Sequence, residues 1–498
     1  MKSIQSKIII GILVFLALNW LSKNLFLRLD LSANKEYTLS KASKVVVRGL
    51  TEKLKIKAYF SEDLPVDIAK TKEDFSNMLS EYSSLAKGNL EFEFISPNES
   101  PAKEQEAMQQ GIQPVMINVR EKDQAKQIKA FLGATLEYAG KKEIIPVIQP
   151  GTAMEYALTT NIKKLSATNK PKIGFVQGHR EAPLQELVQV YQSLEILYDV
   201  ESVYFTDTTN LSLYKTLVII KPSDTFKLEH LQLLDNYLKQ GGNLILGINE
   251  VEYDLQSGQS SLNHSGLDSW LTSKGVRIDT ALVRDVACGS VQVQQQNGFF
   301  NFSTPVQLPY LPLIQRFPFH PVTKGLERVI LQFASPLIFE GVPNSKFTPL
   351  VYTSDKSAVD KYPITIDIQK QWVESDFHEK NICVGGLLEP ASTSVGSRII
   401  IFGDGDFPIG KSRNQKINED NVSLLVNSVD YLSDDTGLIE LRTKAVDTRP
   451  IKELDASTRN TYKYFNFLLP IALVLAYSFF RSTANRRKRM QRMEERYV

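Results

Sequence analysis

Five polar residues, His179, Glu181, Asn249, Asp404 and Asp406, are the best candidates for chemistry in this chain. They follow the short apolar runs PKIGFVQG, NLILGI and SRIIIFGDGDF, which read as strands. Each therefore falls in a strand-end loop, where an open parallel sheet forms its ligand crevice. An imidazole beside several carboxylates could hold a metal or run acid–base chemistry. A purely structural arrangement explains the same residues: Asp404 caps a turn, Gly403 and Gly405 permit tight backbone, and His179 hydrogen-bonds a loop. The five are taken as a ligand-binding set, with no catalytic residue, metal or cofactor expected. The alternative is an extracytoplasmic metal-dependent hydrolase using His179, Asp404 and Asp406.

Two further motifs look chemical. Residues 405–412, GDFPIGKS, match the phosphate-binding pattern GxxxxGK[ST] after an apolar strand. A true P-loop cradles phosphate with backbone N–H groups and opens a helix. Here Pro408 removes a donor, and the next residues, RNQKINEDN, carry no apolar helical face. No nucleotide site is expected. Cys288 and Cys383 are the only cysteines, and neither sits on a strand-to-helix elbow as a nucleophile would. They pair across the fold or act as small buried hydrophobes; two cysteines build no zinc site.

The elements that must position these residues read as α/β. Ser40 can cap a helix with Val45, Val46 and Leu50 at helical spacing. LKIKAYF reads as a strand, residues 67–86 as a long amphipathic helix, and LEFEFISP as a strand. GIQPVMINV and ATLEYAGKKEIIPVI read as two more strands, and residues 152–165 as a helix. This is the layout of a thioredoxin-like domain over residues 34–165, with SEDLP where redox members carry CxxC. Beyond it, PKIGFVQG, VESVYF, TLVIIKP, NLILGI and SRIIIF alternate with helices at residues 184–197, at LEHLQLLDNYLK and at NVSLLVNSVDYL. Continuous apolar strands between helices argue for a parallel sheet covered on both faces. That domain is read over residues 170–445, with a β-rich insertion at about 252–394 and a polar linker at 446–463.

Both ends of the 498-residue chain are apolar. Residues 464–480, YFNFLLPIALVLAYSFF, carry no charge and have aromatic edges, as a membrane span has. The 18 residues after Phe480 hold seven Arg/Lys against two Glu, which places the tail, 481–498, in the cytoplasm by the positive-inside rule. The first stretch reads as an anchor over residues 8–28, with residues 1–7 cytoplasmic. Its clean apolar run is short enough for a signal peptide, but LNWLSKNLF offers no small-x-small cleavage site. Two spans and a cytoplasmic tail put the body outside the cytoplasm, at the bacterial inner membrane facing the periplasm. A net charge of +2, all attributable to the tail, gives no sign of a nucleic-acid partner.

Several segments, in order along nearly the whole chain, carry a family resemblance: RLDLSANKEYTLSKAS, LKIKAYFSEDLP, EYALTTNIKKL, IGFVQGHRE, LDNYLKQGGNLIL, FHPVTKGLE and IFGDGDF followed by LLVNSVDYL. The chain resembles the ABC-transport auxiliary family, in its gliding-motility-associated branch. The resemblance implies a non-ATPase membrane subunit whose partners are a multispanning permease, a cytoplasmic ATPase reached through it, and membrane lipid. It also implies a glutamine-amidotransferase-like second domain. GHRE stands where the family pattern is GHGE, and GDGDFPIG departs from its usual continuation, so no fixed chemistry carries over to those loops.

Overall fold

The computed structural model describes residues 38–62, 64–121, 124–148, 154–167, 170–206, 208–297, 300–391, 396–410, 417–434 and 456–494. The expected cytoplasmic N-terminus, 1–7, and first anchor, 8–28, lie outside the described residues. The chain divides into a body, Met1–Val446, and a second unit, Asp447–Val498.

In the body, Ser40 Oγ accepts from Ser43 N at 3.0 Å and caps α1 (Lys41–Arg48), as its sequence signature predicts. The buried face of α1 is Ala42, Ser43 and Val47, and the expected Val45 is exposed. The phase is set by Glu155, which accepts from Ser40 N and Ser43 Oγ at 2.7 Å each and draws that side inward. Then come β1 (Leu54–Phe60), α2 (Val66–Leu85), β2 (Leu90–Ile95), α3 (Pro101–Gln109), β3 (Val115–Glu121), β4 (Gln124–Ala130), β5 (Leu132–Tyr138), β6 (Lys141–Ile145) and α4 (Met154–Ser166). A four-stranded sheet runs β2-β1-β5-β6, with β1 and β2 parallel and β5 antiparallel to both its neighbours. The α2 residues Phe75, Leu79 and Tyr82, at i, i+4 and i+7, are fully buried in the core beneath it.

Two sequence expectations change here. GIQPVMINV does not enter the sheet but pairs with β4 as a separate hairpin. ATLEYAGKKEIIPVI is two strands, because Ala139 (φ 51°) and Gly140 (φ 74°) both take left-handed geometry, as a two-residue hairpin turn requires.

The larger sheet is built from β7 (Lys172–Gln177), β8 (Asp199–Tyr204), β9 (Tyr214–Ile220) and β10 (Asn243–Gly247), with helices α5 (Val188–Leu194) and α6 (Leu228–Lys239). After β10 the chain forms β11 (Val251–Asp254), β12 (Gln259–Leu262), α7 (Leu267–Ser273), β13 (Val276–Ile278), β14 (Ala281–Asp285), β15 (Cys288–Asn297) and β16 (Phe300–Ile314). It continues with β17 (Val329–Ile330), β18 (Leu337–Phe339), β19 (Ser345–Tyr352), β20 (Ser357–Lys361), β21 (Cys383–Pro390), β22 (Ile399–Phe402) and α8 (Glu419–Ser433).

Seven strands run β19-β21-β22-β10-β9-β7-β8. The five from β22 to β8 are parallel, and β21 and β19 are antiparallel additions. The segment read as an insertion, 252–394, is thus not wholly outside the sheet. It supplies β19 and β21, and a Cβ on Gly386 would fall 2.1 Å from the Phe347 ring, so glycine lets the two strands close. Among the parallel strands, β8 lies to one side of β7, and β9, β10 and β22 lie to the other. The direction of winding reverses between β7 and β9, where sheets of this order present a crevice.

The second unit holds α9 (Ala456–Glu494), a continuous 39-residue helix. Within Ser457–Arg487 an 18-residue stretch has a mean hydropathy of 1.6 and is unburied, and this is the one helix among the described residues long and apolar enough to cross a membrane. Of the expected linker, 446–455 lies outside the described residues, and 456–463 is helical. ASTRNTYK holds no Gly or Pro to stop a helix.

Candidate functional site

The loop after β7 turns sharply, with Gly178 at φ 120° and Arg180 at φ 56°. The turn folds His179 and Glu181 inward, where both are buried. Glu181 Oε2 accepts from His179 N at 2.6 Å, and its Oε1 lies 2.9 Å from His179 Nδ1. His179 Nε2 lies 2.8 Å from Nδ1 of His230, on α6. The His179 ring stacks on Phe226 at 3.6 Å between centroids. Glu181 Oε1 accepts the Nδ1–H of His179, and His179 Nε2 and His230 Nδ1 share one proton between them. The result is a carboxylate–imidazole–imidazole chain that ties the β7 loop to α6.

A second network joins β9, β10 and β22. Asn249 Nδ2 donates to Asp406 Oδ2, and Asn249 Oδ1 accepts from Gly405 N, both at 2.6 Å. Lys221 Nζ donates to Asp406 Oδ1 at 2.6 Å from a left-handed backbone (φ 54°). Burial draws the Lys221 ammonium down, but the Asp406 charge and hydrogen bond outweigh it and raise its pKa. Asp404 is fully buried, accepting from Asp406 N at 2.6 Å and Gln332 N at 2.7 Å. Burial, with the Asp406 charge beside it, pushes its carboxyl up to about 8 against the pull of those amide donors. Glu250 is also buried, and desolvation, helped by Asp268, raises it to about 7.

The five residues chosen from sequence therefore do not share one crevice. Asn249, Asp404 and Asp406 come together, and His179 pairs with Glu181 elsewhere. Strands β9 and β10 stand between β7 and β22, a separation of about 14 Å at ordinary strand spacing. Among the described residues no group of three or more His, Cys, Asp or Glu side chains converges as a metal cage requires. Around Lys221, Asn249 and Asp406 opens a cleft of about 270 Å³, closed by the β11–β12 hairpin and Phe333. Sequence reasoning missed Lys221, which follows the strand TLVII and was open to the same strand-end argument. It also missed His230, on a helix, and Phe333, in irregular chain, where no local pattern marks them.

The P-loop-like string is structurally occupied. Gly405 N bonds Asn249, Asp406 N and Phe407 N bond Asp404, Ile409 N bonds Asp406 O at 3.0 Å, and Gly410 N bonds Glu186 O at 2.8 Å. Pro408 has no N–H, so every backbone donor from Gly405 to Gly410 is already used. Phe407 is buried against Phe402, 5.0 Å between centroids. Lys411 and Ser412 lie outside the described residues. Titration with Mg–ATP is expected to give no saturable heat and no thermal stabilisation at about 1 mM nucleotide; a saturable response abolished by Lys411→Ala would reverse this conclusion.

With this geometry in hand, the comparisons decide the relationship. A family model described as an ABC-type uncharacterized transport system matches residues 170–432, the span of the larger sheet and both strand-end networks. The chain belongs to this ABC-type transport family. A model described as a domain of unknown function matches residues 33–137, over most of the first domain. An uncharacterized protein of Borreliella burgdorferi is 26% identical over 151 residues, 30% of this chain and 29% of that protein. The match thus spans under a third of the relative's length. Among solved structures, the N-terminal domain of mmIFT52 aligns with a TM-score of 0.35 at 12% identity, over 52% of this chain and 97% of its own. A putative ThuA-like protein from Parabacteroides merdae gives 0.28 at 13%, over 58% and 95%. Likenesses that loose assign no fold.

Proposed function

We propose that the chain is a non-ATPase auxiliary subunit of an ABC-transporter complex of the gliding-motility type, with a periplasmic body that binds a partner or cargo and catalyses nothing. The family match carries this reading. The uncharged run 464–480, within an unburied helix, and the basic residues after it support a membrane span with its tail in the cytoplasm. A multispanning permease is the natural neighbour for the span, and the ATPase joins through the permease. The order β2-β1-β5-β6 supports a thioredoxin-like first domain, which without CxxC does no thiol exchange. The parallel order β22-β10-β9-β7-β8 supports an amidotransferase-like second domain.

Gentle detergent extraction of native membranes, followed by capture of this chain, is expected to bring a permease and an ATPase with it. Recovery of the chain alone would remove the assignment. For topology, a fluorescent-protein fusion after Val498 is expected to glow and an alkaline-phosphatase fusion there to stay inactive. The reverse pattern would move the body to the cytoplasm.

A further inference from the structure

We propose that the cleft at the ends of β9, β10 and β22 binds an organic cation, a guanidinium or primary ammonium on an aliphatic stem. Its described lining carries one cation, Lys221, and three carboxylates, Glu252, Asp254 and Asp406. Lys221 is already committed to Asp406 at 2.6 Å, so the protein's own ammonium shows how this cleft receives a positive head group. Among the described residues neither Glu252 nor Asp254 has an ion-pair partner. Asp254 Oδ1 accepts from Gln256 N at 2.9 Å and its Oδ2 from Ser257 Oγ at 2.7 Å, which hold its carboxyl below the usual range and keep it charged.

Glu252 and Asp254 alternate along β11 and so share one face, opposite Ser261 and Gln259 of β12. Phe333 adds an aromatic surface to the lining, while Tyr253, between the two carboxylates in β11, turns to the opposite face, where its hydroxyl accepts from Ile366 N. A cationic head facing the carboxylates, with its stem along Phe333, satisfies both parts of the lining. An anion would meet net negative charge, and a neutral guest would cover the half-buried Glu252 without an opposite charge of its own. About 270 Å³ holds one arginine or lysine side chain rather than a folded segment. The head group thus arrives on a free amine or at the tip of a partner's side chain.

This inference rests on the body being a binding platform, and its test is separate from complex formation. Full-length chain in nanodiscs would be titrated with N-acetyl-arginine amide and with its neutral isostere N-acetyl-citrulline amide. Saturable binding of the arginine compound, at least about tenfold tighter than the citrulline one, is expected from one charge-assisted contact. Glu252→Gln, which removes charge and not shape, is expected to weaken arginine binding about tenfold at unchanged thermal stability. Agmatine and the tripeptide Gly-Arg-Gly distinguish the sources, since a tighter peptide points to a partner's side chain and a tighter or equal agmatine to a free amine. Equal affinity for arginine and citrulline, no saturation by about 10 mM, or an unaffected Glu252→Gln would overturn the proposal. The pull-down from native membranes reads the subunit assignment independently.

Discussion

Gly403→Ala is expected to destabilise the body by about 3 kcal/mol or more, among the largest effects available to a single methyl group. A Cβ at this position would lie 2.0 Å from the Ser335 carbonyl oxygen and 3.0 Å from its carbonyl carbon. Both are backbone atoms, so no side chain can rotate out of the way. Nor can the segment retreat. Ser335 N donates to Gly403 O at 2.7 Å, and Gln332 N donates to the buried Asp404 carboxylate at 2.7 Å. The approach joins the chain between β17 and β18 to the end of β22. Denaturant unfolding of wild type and variant would measure the loss; equal midpoints would mean that the two backbones do not meet as described. Gly405→Ala should act in the same direction, since its Cβ would stand 2.7 Å from Gly247 O and 2.9 Å from the Lys221 backbone.

The second large effect is on pH dependence. The folded body holds Glu250 at about 7 and Asp404 at about 8, against ordinary values of 4.5 and 3.8, and burial is the leading cause in both. Between those limits the folded chain binds more protons than the unfolded one, so stability falls as pH rises. The contribution is complete below about pH 4 and is lost as pH passes through 7 and 8. Glu250→Gln keeps the shape and cannot ionise. It should match wild type near pH 4.5 and exceed it by about 3 kcal/mol at pH 8, the scale of a shift of about 2.5 units, from 4.5 to about 7. Thermal melts at the two pH values check this, and a variant less stable than wild type at pH 8 would contradict it. Asp404→Asn is a poorer probe, because it replaces one of two acceptor oxygens with a donor facing an amide.

What the residues announced beforehand was the part governed by local pattern. Continuous apolar runs such as TLVII, NLIL and RIIIF are strands buried on both faces, and they became adjacent parallel strands. The Ser40 cap was readable because its mechanism is local. What escaped was register between distant segments. VGGLL lies in the segment read as a β-rich insertion, yet it pairs with β22, because Gly385 and Gly386 leave room for Phe402 and Phe347. The candidate site was legible to the same degree. Strand-end logic found Asn249, Asp404 and Asp406 together, but it could not tell that β9 and β10 would hold His179 away from them. The P-loop-like string was legible as a pattern, whereas the use of its amides by Asn249, Asp404 and Glu186 is a property of the packed chain.

The long C-terminal helix has a mechanical consequence. At 1.5 Å per residue its 39 residues make a rod of about 58 Å, and a bilayer's hydrocarbon takes up about 30 Å of it. Roughly half the rod must therefore project into headgroups and water. Pro470 is the place where the rod's stiffness is reduced, because proline cannot return a hydrogen bond to the carbonyl four residues before it. The helix is then a long stiff rod with one built-in flexure at Pro470.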